Sequence, residues 1–276
     1  MKKINYLAPA VSLLALFVYG CSSPAPAPAP AAPPAAAAPA ATEAPAAAAP
    51  AAADAAPIDA ATVGSVSGKV SFEGTAPEAT KLKMSADAYC MSAHGTTAVM
   101  ADGLVVNKDN TLKNVFVYVK DGLGARTFTA PTEPVELTQQ GCMFSPHVFG
   151  VMAGQGVVIH NGDGTLHNVH AMPTVNDEFN IAMPVKDMKI PKSFPKPEVL
   201  VRFKCDVHPW MSSFAGVVSH PFYAVSGDSG TFELKGLPPG TYTISAVHES
   251  LGEQTAQVVI GASEAKTADF TFKAAN

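Results

Sequence analysis

The chain contains 276 residues and carries a formal net charge of −5 at pH 7. It has no run of lysine or arginine of the kind that binds nucleic acid or anionic lipid headgroups, so nucleic acid is not an expected partner. The first fifth of the chain cannot contribute to a globular core, which leaves the fold to the residues from position 58 onwards.

The amino terminus has the pattern of a secretory signal. A charged start precedes an apolar run from Leu7 to Tyr19, which ends just before Cys21. The pattern resembles a bacterial lipoprotein signal, which implies removal of residues 1–20 and attachment of lipid to Cys21. Ser22 after that cysteine implies sorting to the outer membrane. A retained single-pass anchor is the alternative, although the apolar run is short compared with the ~20 residues that cross a bilayer.

Residues 21–57 consist almost entirely of alanine and proline after the cysteine. This composition offers no apolar face to bury, and each proline restricts φ, so we expect a disordered, extended linker. At ~3.1 Å per residue, the linker would hold the folded part on the order of 100 Å from a lipid anchor. Both interpretations of the amino terminus place the folded part outside the cytoplasm.

The remaining sequence predicts an all-β fold. Short runs alternate apolar and polar residues between Gly, Pro, Asn and Asp, and no long segment keeps a 3.6-residue period. SVSGKVSFEG and NVFVYVKDG are typical of half-buried strands, and GTFELKGLPPGTYTISAVHE predicts two strands joined by a Pro-Pro-Gly turn. Four more strands are predicted in PVELTQQ, GQGVVIHN, LHNVHAM and EVLVRFKC, with a loop rich in proline and lysine between Met183 and Pro197.

Two distant parts of the chain resemble one known domain. GTFELKGLPPGTYTI resembles the second half of a carboxypeptidase regulatory-like (transthyretin-like) β-sandwich, and GSVSGKVSFEG with LKNVFVYVK resembles its first half. Because the halves lie so far apart, we expect one domain to be inserted into another. Residues 58–130 would form the first half, 131–225 the inserted domain, and 226–276 the second half.

The stretch KCDVHPWM places soft metal ligands in a short loop. The period of two in EVLVRFKC puts one wholly apolar set on the same face: Val199, Val201, Phe203 and Cys205. Cys205 should therefore point inward at the end of a strand, with His208 and Met211 close behind it. A thiolate, an imidazole and a weak thioether suit copper, but a trigonal site of this type needs a second histidine from elsewhere in the chain.

Three histidines could supply that second imidazole: His160, His167 and His170. In LHNVHAM, His167 and His170 point to opposite faces, so at most one of the two can face the site. HNVH followed by CxxHPxM is similar to the cupredoxins, the small blue copper proteins. This resemblance implies a Greek-key sandwich with one type 1 copper ion that cycles between Cu(I) and Cu(II).

The resemblance also implies the ligand set and the surroundings of the metal. The four implied ligands are His167, Cys205, His208 and Met211. Asn168 is expected to hydrogen-bond to the cysteine loop and hold it in place. The histidine of such a loop usually exposes its ring edge, so we expect His208 to be the electron port. Pro209, Trp210 and Phe214 are expected to form the surrounding patch that docks a redox protein.

The predicted function is therefore a one-electron carrier between redox proteins, and not an enzyme, since four protein ligands leave the metal no vacant position. Copper delivery or buffering is an alternative. A structural lipoprotein that binds a carbohydrate or a protein is another, and in that case Cys205 would be an ordinary buried cysteine. Zinc is less suited to this ligand set because it does not usually recruit methionine. A redox thiol would need a CxxC partner, which the sequence lacks.

The other two cysteines are expected to pair. An exported chain meets oxidising conditions, so with Cys21 lipidated and Cys205 on the metal, Cys90 and Cys142 would form a disulfide. In the alternative, Cys142 joins His147 in a second metal site.

Overall fold

A computed structural model describes residues 57–274 of the chain. The predicted signal sequence, Cys21 and all but the last residue of the predicted linker lie outside this range. Within it there is one short helix, α1 (Ala88–His94), and no helix with the length and hydropathy needed to cross a bilayer. The strands of the described part are β1 (Gly64–Glu73), β2 (Phe116–Asp121), β3 (Val135–Gln140), β4 (Met143–Ser145), β5 (Val148–Met152), β6 (Gly156–Asn161), β7 (His167–Met172), β8 (Phe179–Met183), β9 (Lys189–Ser193), β10 (Glu198–Lys204), β11 (Ser212–Val218), β12 (Tyr223–Val225), β13 (Thr231–Leu237), β14 (Gly240–His248), β15 (Gly252–Ile260), β16 (Ala265–Thr267) and β17 (Phe270–Lys273).

The prediction of an all-β fold is confirmed. The strands form four sheets. The first has the order β13-β1-β16, and β17 also pairs with β1; the second has the order β12-β2-β14-β15. The third has the order β5-β11-β10-β7-β8, and the fourth β4-β3-β6-β9. The first two sheets enclose a first cluster of buried residues from β1, β2, β13, β14, β15 and β17, which includes Val66, Phe72, Val117, Phe232 and Ile244. Apolar residues at every second position of these strands face this cluster, as the period of a strand requires.

A second cluster lies between the other two sheets and includes Leu137, Phe149, Ile159, Val169 and Phe203. It also takes in Met84 and Cys90 from the segment before β2. A third, small cluster of Phe116, Val148 and Val218 lies between the two larger ones. The predicted first half, 58–130, thus contributes to more than one core.

Glycine permits the close packing at the third cluster. The ring of Phe116 lies where a Cβ atom on Gly216 would be, and the ring of Tyr223 occupies the corresponding space at Gly150. Any larger residue at these two glycines would push the aromatic rings away from β5 and β11.

Three local expectations were wrong. The segment between Met183 and Pro197 is not only a loop, because it contains β9, which pairs with β6. NVFVYVKDG departs from the half-buried pattern at its start, because Phe116 on its second face is fully buried in the third cluster. The regular alternation in EVLVRFKC begins only at Val201, since Leu200 has a positive φ of 60° and the pairing with β11 shifts there. Val199 therefore packs against the third cluster instead of the second.

The pairing of β7 with β10 positions the predicted ligands. The two strands are antiparallel, with Phe203 opposite Ala171 and Lys204 opposite His170. Antiparallel pairing brings the start of one strand next to the end of its partner. His167, the first residue of β7, and Cys205, which follows β10, therefore lie at the same end of the sheet.

Candidate metal centre

The loop between β10 and β11 is closed by its own backbone. The Met211 N–H donates to the carbonyl of His208 (2.9 Å), and the Cys205 N–H donates to the carbonyl of Met211 (3.3 Å). Cys205 and Met211 are both buried in the second cluster, with exposures of 1% and 0%. The loop thus holds the thiol, His208 and Met211 within one closed turn.

Two imidazoles and the thiol converge at this end of the sheet. Nδ1 of His167 lies 2.9 Å from Nδ1 of His208, and Cys205 Sγ lies 3.8 Å from the same nitrogen of His208. The ligand atoms of His167, Cys205 and His208 lie within 4.8 Å of one another, and all three residues are buried. The three side chains therefore direct two imidazole nitrogens and one thiol sulfur towards the same point.

The outer nitrogen of each imidazole is bonded to a carboxylate. Nε2 of His167 donates to Asp163 (3.0 Å), and Nε2 of His208 donates to Asp87 (3.1 Å). A neutral imidazole has only one N–H, so these two bonds leave both Nδ1 atoms as acceptors. Two lone pairs facing each other at 2.9 Å repel unless a proton or a metal ion lies between them. The donor set thus fits a cation.

Asp163 also shapes the neighbouring turn. Its carboxylate accepts the N–H groups of Gly141 (2.8 Å) and Cys142 (2.7 Å) in addition to His167. Burial by itself raises the pKa of Asp163, but the hydrogen bonds from His167 and from these two backbone groups outweigh it and lower the pKa. Asp163 is therefore charged, although it is fully buried.

The charges around His167 favour a proton in the absence of metal. Burial by itself lowers the pKa of His167, but the hydrogen bond to Asp163 and the nearby thiol of Cys205 raise it to about 9. Burial raises the pKa of Cys205, but His167 and the surrounding backbone lower it overall. A metal ion that binds here must displace the proton on His167.

Asn168 fastens the cysteine loop to β7. Its side-chain oxygen accepts from the Asp206 N–H (2.6 Å) and from the Cys205 thiol (3.3 Å). Its amide nitrogen donates to Asn180 (2.7 Å) and Asp206 (3.0 Å). These contacts join the loop to β7 and β8, as expected for a residue that holds the thiol in place.

Helix α1 covers the outer edge of His208. Cys90 in α1 forms a disulfide with Cys142 (S–S 2.04 Å), and Cys90 Sγ lies 3.5 Å from His208 Nε2. The expectation of an exposed His208 is wrong, because its ring is only 2% exposed. The disulfide and the carboxylate of Asp87 occupy the position where the ring edge would otherwise meet solvent.

The residues predicted to dock a partner lie in different surroundings. Pro209 is exposed. Trp210 is half-buried, its ring is tilted by 48° to the His208 ring with the centroids 5.1 Å apart, and its indole N–H donates to the carbonyl of Cys142 (2.9 Å). Phe214 does not belong to a surface patch around His208. It packs against the third cluster, edge-on to the ring of His147.

The remaining histidines considered as ligands have other partners. His160 lies between the carboxylates of Glu136 (3.0 Å) and Asp187 (3.4 Å). His170 faces Asp206 and Glu178.

His147 also lies apart from the metal centre, between Asp102 and Glu249, both at 3.2 Å. Since Cys142 is disulfide-bonded, a second metal site with His147 has no thiol to use.

Sequence reasoning missed the two carboxylates and the helix. Asp163 stands four residues before His167, and no alternation rule predicts that a turn will fold it back. Asp87 lies 121 residues before His208, so only its position ahead of a helix, as an N-cap, leaves a signal in the sequence.

The chain matches no protein-family model and no curated protein. Among solved structures it is similar to a copper-containing nitrite reductase from Thermus scotoductus SA-01, at 20% identity and a TM-score of 0.28 over 35% of this chain. The similar region spans only 26% of the reductase. A purple cupredoxin from Nitrosopumilus maritimus shows 18% identity and a TM-score of 0.27, with 30% of this chain and 98% of that chain covered. A Cu(I) structure of an amicyanin mutant shows 17% identity and a TM-score of 0.28, with 37% and 97% covered. At TM-scores this low, these similarities carry no argument about the function of the chain.

Proposed function

We propose that this protein holds a single copper ion and carries one electron at a time between redox proteins. One observation carries the proposal. The Nε2 atoms of His167 and His208 are both hydrogen-bonded to carboxylates, which leaves the two Nδ1 atoms facing each other beside the thiol of Cys205. Two imidazoles and one thiolate are the donors of a trigonal copper site, and Met211, buried in the same cluster, is the proposed weak fourth ligand.

The protein around the site supports electron transfer over delivery. His167 belongs to β7, Cys205 follows β10, and Asn168 ties the two together, so the ligand positions are fixed before any metal arrives. Ligands that do not move between oxidation states favour rapid exchange of single electrons. Bound copper would supply the one-electron couple between Cu(II) and Cu(I).

The burial of the site also supports a carrier over an enzyme. His167, Cys205 and His208 are each at most 2% exposed, and with Met211 they would complete the coordination of the ion. A substrate would need a vacant ligand position and a path to it. Partners would instead contact the protein surface, where exposed Pro209 and half-buried Trp210 lie beside the covered ring of His208.

We further propose that the protein is exported and anchored to the bacterial outer membrane through lipid on Cys21. The disulfide between Cys90 and Cys142 supports an oxidising compartment. The linker of residues 21–57 would then extend the folded part away from the membrane. In this proposal residues 131–225 are the copper domain, and residues 58–130 with 226–276 form the regulatory-like sandwich that carries it, except that the segment around α1 packs against the copper domain.

The test is to add Cu(II) to the purified full-length chain and record visible and electron paramagnetic resonance spectra. An intense blue colour with narrow copper hyperfine splitting is expected for a thiolate-bound type 1 ion. A colourless, tightly held zinc ion, or no metal binding at all, would overturn the proposal.

Two further measurements separate a carrier from the alternatives. Copper that is lost within seconds to a chelator would favour delivery or buffering, whereas a retained and reversibly reduced ion favours the carrier. Replacing Trp210 with Ala should slow electron exchange with a redox protein and leave the copper spectrum unchanged. A structural lipoprotein would keep its function in a Cys205→Ser variant.

A further inference from the structure

Asp87 connects the helix α1 to the proposed copper centre through its two carboxylate oxygens. Oδ1 accepts the backbone N–H groups of Tyr89 (2.7 Å) and Cys90 (3.2 Å), which makes Asp87 the N-cap of the helix. Oδ2 accepts from Nε2 of His208 (3.1 Å) and from the hydroxyl of Thr165 (2.9 Å). One carboxylate thus holds both the helix and the imidazole.

The position of Asp87 does not depend on the helix cap alone. Cys90, three residues after Asp87, forms a disulfide with Cys142, which lies in the turn held by Asp163. The side chain of His208 is 2% exposed, and that of Asp87 is 21% exposed. The carboxylate therefore lies between a buried imidazole and the protein surface, and a covalent bond keeps its helix in place.

We propose that Asp87 is a positioning residue of the copper centre: it fixes the tautomer and the rotation of His208, so that Nδ1 points at the metal position, and it closes the outer edge of the ring. The inference rests on the proposed function. A carboxylate that accepts the N–H of a metal-bound imidazole fixes the ring and makes it a stronger donor. A stronger nitrogen donor favours Cu(II) over Cu(I), so Asp87 lowers the reduction potential of the site.

Two substitutions test the carboxylate of Asp87: one removes its charge, and the other shortens the side chain. Asp87→Asn keeps the shape of the side chain and removes the charge, and its single oxygen can cap the helix or accept from His208 but not both. Asp87→Ser also keeps an N-cap, but its short side chain cannot reach His208. Asp109→Asn is the matched control for net charge, since Asp109 is half exposed and its carboxylate contacts Lys69 and Thr111, not the metal centre.

The first measurement needs no copper and is made at pH 10, above the pKa of about 9 of His167, so that Nδ1 of His167 no longer donates to Nδ1 of His208. The ¹⁵N chemical shifts of the His208 ring report which nitrogen carries the proton. The wild-type protein and the Asp109→Asn variant should carry it on Nε2, whereas Asp87→Ser, and Asp87→Asn with its NH2 group towards His208, should show a mixture with Nδ1 protonation. A His208 ring in Asp87→Ser that still carries its proton on Nε2 alone would overturn the proposal.

The second measurement uses copper-loaded protein. Asp87→Ser should release copper to a chelator roughly ten times faster than wild type, because the ring is no longer held. Asp87→Asn should favour Cu(I) by up to roughly tenfold, which is a rise in potential of about 59 mV for a one-electron couple. Asp109→Asn should match wild type in both.

The outcomes distinguish the two proposals. If wild-type protein gives no blue copper spectrum, the proposed function fails, and the tautomer measurement still decides the role of Asp87. If the wild type is blue and both Asp87 variants retain its potential and its rate of copper release, the role of Asp87 is refuted and the proposed function stands. Should Asp87→Ser fail to fold, the potential of Asp87→Asn decides alone.

Discussion

Two parts of the molecule bury histidines in opposite ways. His220, beside Phe222 of the first cluster, donates from Nε2 to the carbonyl of Val119 (2.8 Å) and accepts the Phe222 N–H at Nδ1 (3.2 Å). Burial lowers the pKa of His220, and its backbone hydrogen bonds do not offset this effect. His167, beside the second cluster, is more deeply buried, yet Asp163 and Cys205 raise its pKa to about 9.

The difference lies in the partners. The hydrogen bonds of His220 satisfy backbone groups, which is what any buried polar side chain requires. His167 and His208 instead form hydrogen bonds to side chains: to each other, to Asp163 four residues before His167, and to Asp87, 121 residues before His208. A buried network of mutually bonded titratable groups is costly to assemble, and proteins concentrate such networks at functional sites.

The largest expected effect comes from removing the thiol. Cys205→Ser should abolish the blue absorption altogether, because the colour requires a thiolate on copper. His220→Gln should leave the copper spectrum unchanged and lower the free energy of unfolding by about 1–3 kcal/mol, the cost of disturbed buried hydrogen bonds. Visible spectroscopy with copper and urea unfolding without it check the pair. A blue Cys205→Ser protein, or a His220→Gln protein that loses its copper, would contradict the distinction between a structural buried histidine and the histidines of the proposed copper centre.

Loss of the disulfide should destabilise the part around the second cluster and not the part around the first cluster. Replacing both Cys90 and Cys142 with Ala removes a cross-link that spans a sequence separation of 52. Loss of a cross-link over such a loop should lower the free energy of unfolding by about 4 kcal/mol. The same variant should lose copper faster, since α1 no longer holds Asp87 against His208. Hydrogen exchange should speed up around α1 and stay unchanged at Ile244 in the first cluster. Equal acceleration in both places would contradict this expectation.

His147 is a third kind of buried histidine, one that lies between two carboxylates and away from the predicted ligands. The dependence of stability on pH tests its role. Burial alone lowers its pKa, but the carboxylates of Asp102 and Glu249 outweigh burial and raise it to about 9, with buried His248 as a further titratable neighbour. Because the folded state holds this proton more tightly, the stabilisation is complete below about pH 6.5 and is lost as the pH rises through 9. At about 1.4 kcal/mol per pKa unit, the loss is about 3 kcal/mol.

The measurement for His147 is urea unfolding of the metal-free protein between pH 6 and 10. Metal-free His167 contributes to the same pH range, so the His147→Gln variant serves as the reference. The slope of stability against pH should be shallower in that variant than in wild type. Parallel curves would show that the proton on His147 contributes nothing to stability.

The smallest expected effect is on copper affinity. Asp163→Asn should weaken copper binding about 10- to 100-fold, because it removes the charged partner of His167 while keeping an oxygen for the turn. Asp187→Asn changes a carboxylate that also faces a histidine, the partly exposed His160, and should leave copper affinity unchanged. Competition with a copper chelator compares the two. An equal loss in both variants would mean that Asp163 acts through the overall charge alone.

The sequence by itself determined the fold class and singled out the candidate ligands. Alternation of apolar residues reports which face of a strand is buried, and this local property predicted the inward faces of β1, β14 and the end of β10. The spacing of Cys205, His208 and Met211 is also local, because one short loop holds all three. Their role as copper ligands, together with His167, stays a prediction until metal binding is measured.

Only the tertiary structure decided what lies around those side chains. The bulge at Leu200 and the second buried face of β2 arise from packing between the clusters, which no single strand encodes. The cover on His208 comes from Asp87, 121 residues earlier in the chain. Burial of a ring edge depends on what folds over it, and a contact across such a separation leaves no periodic signal in the sequence. An exposed ring edge on His208 was therefore the natural expectation, and a covered ring is the result.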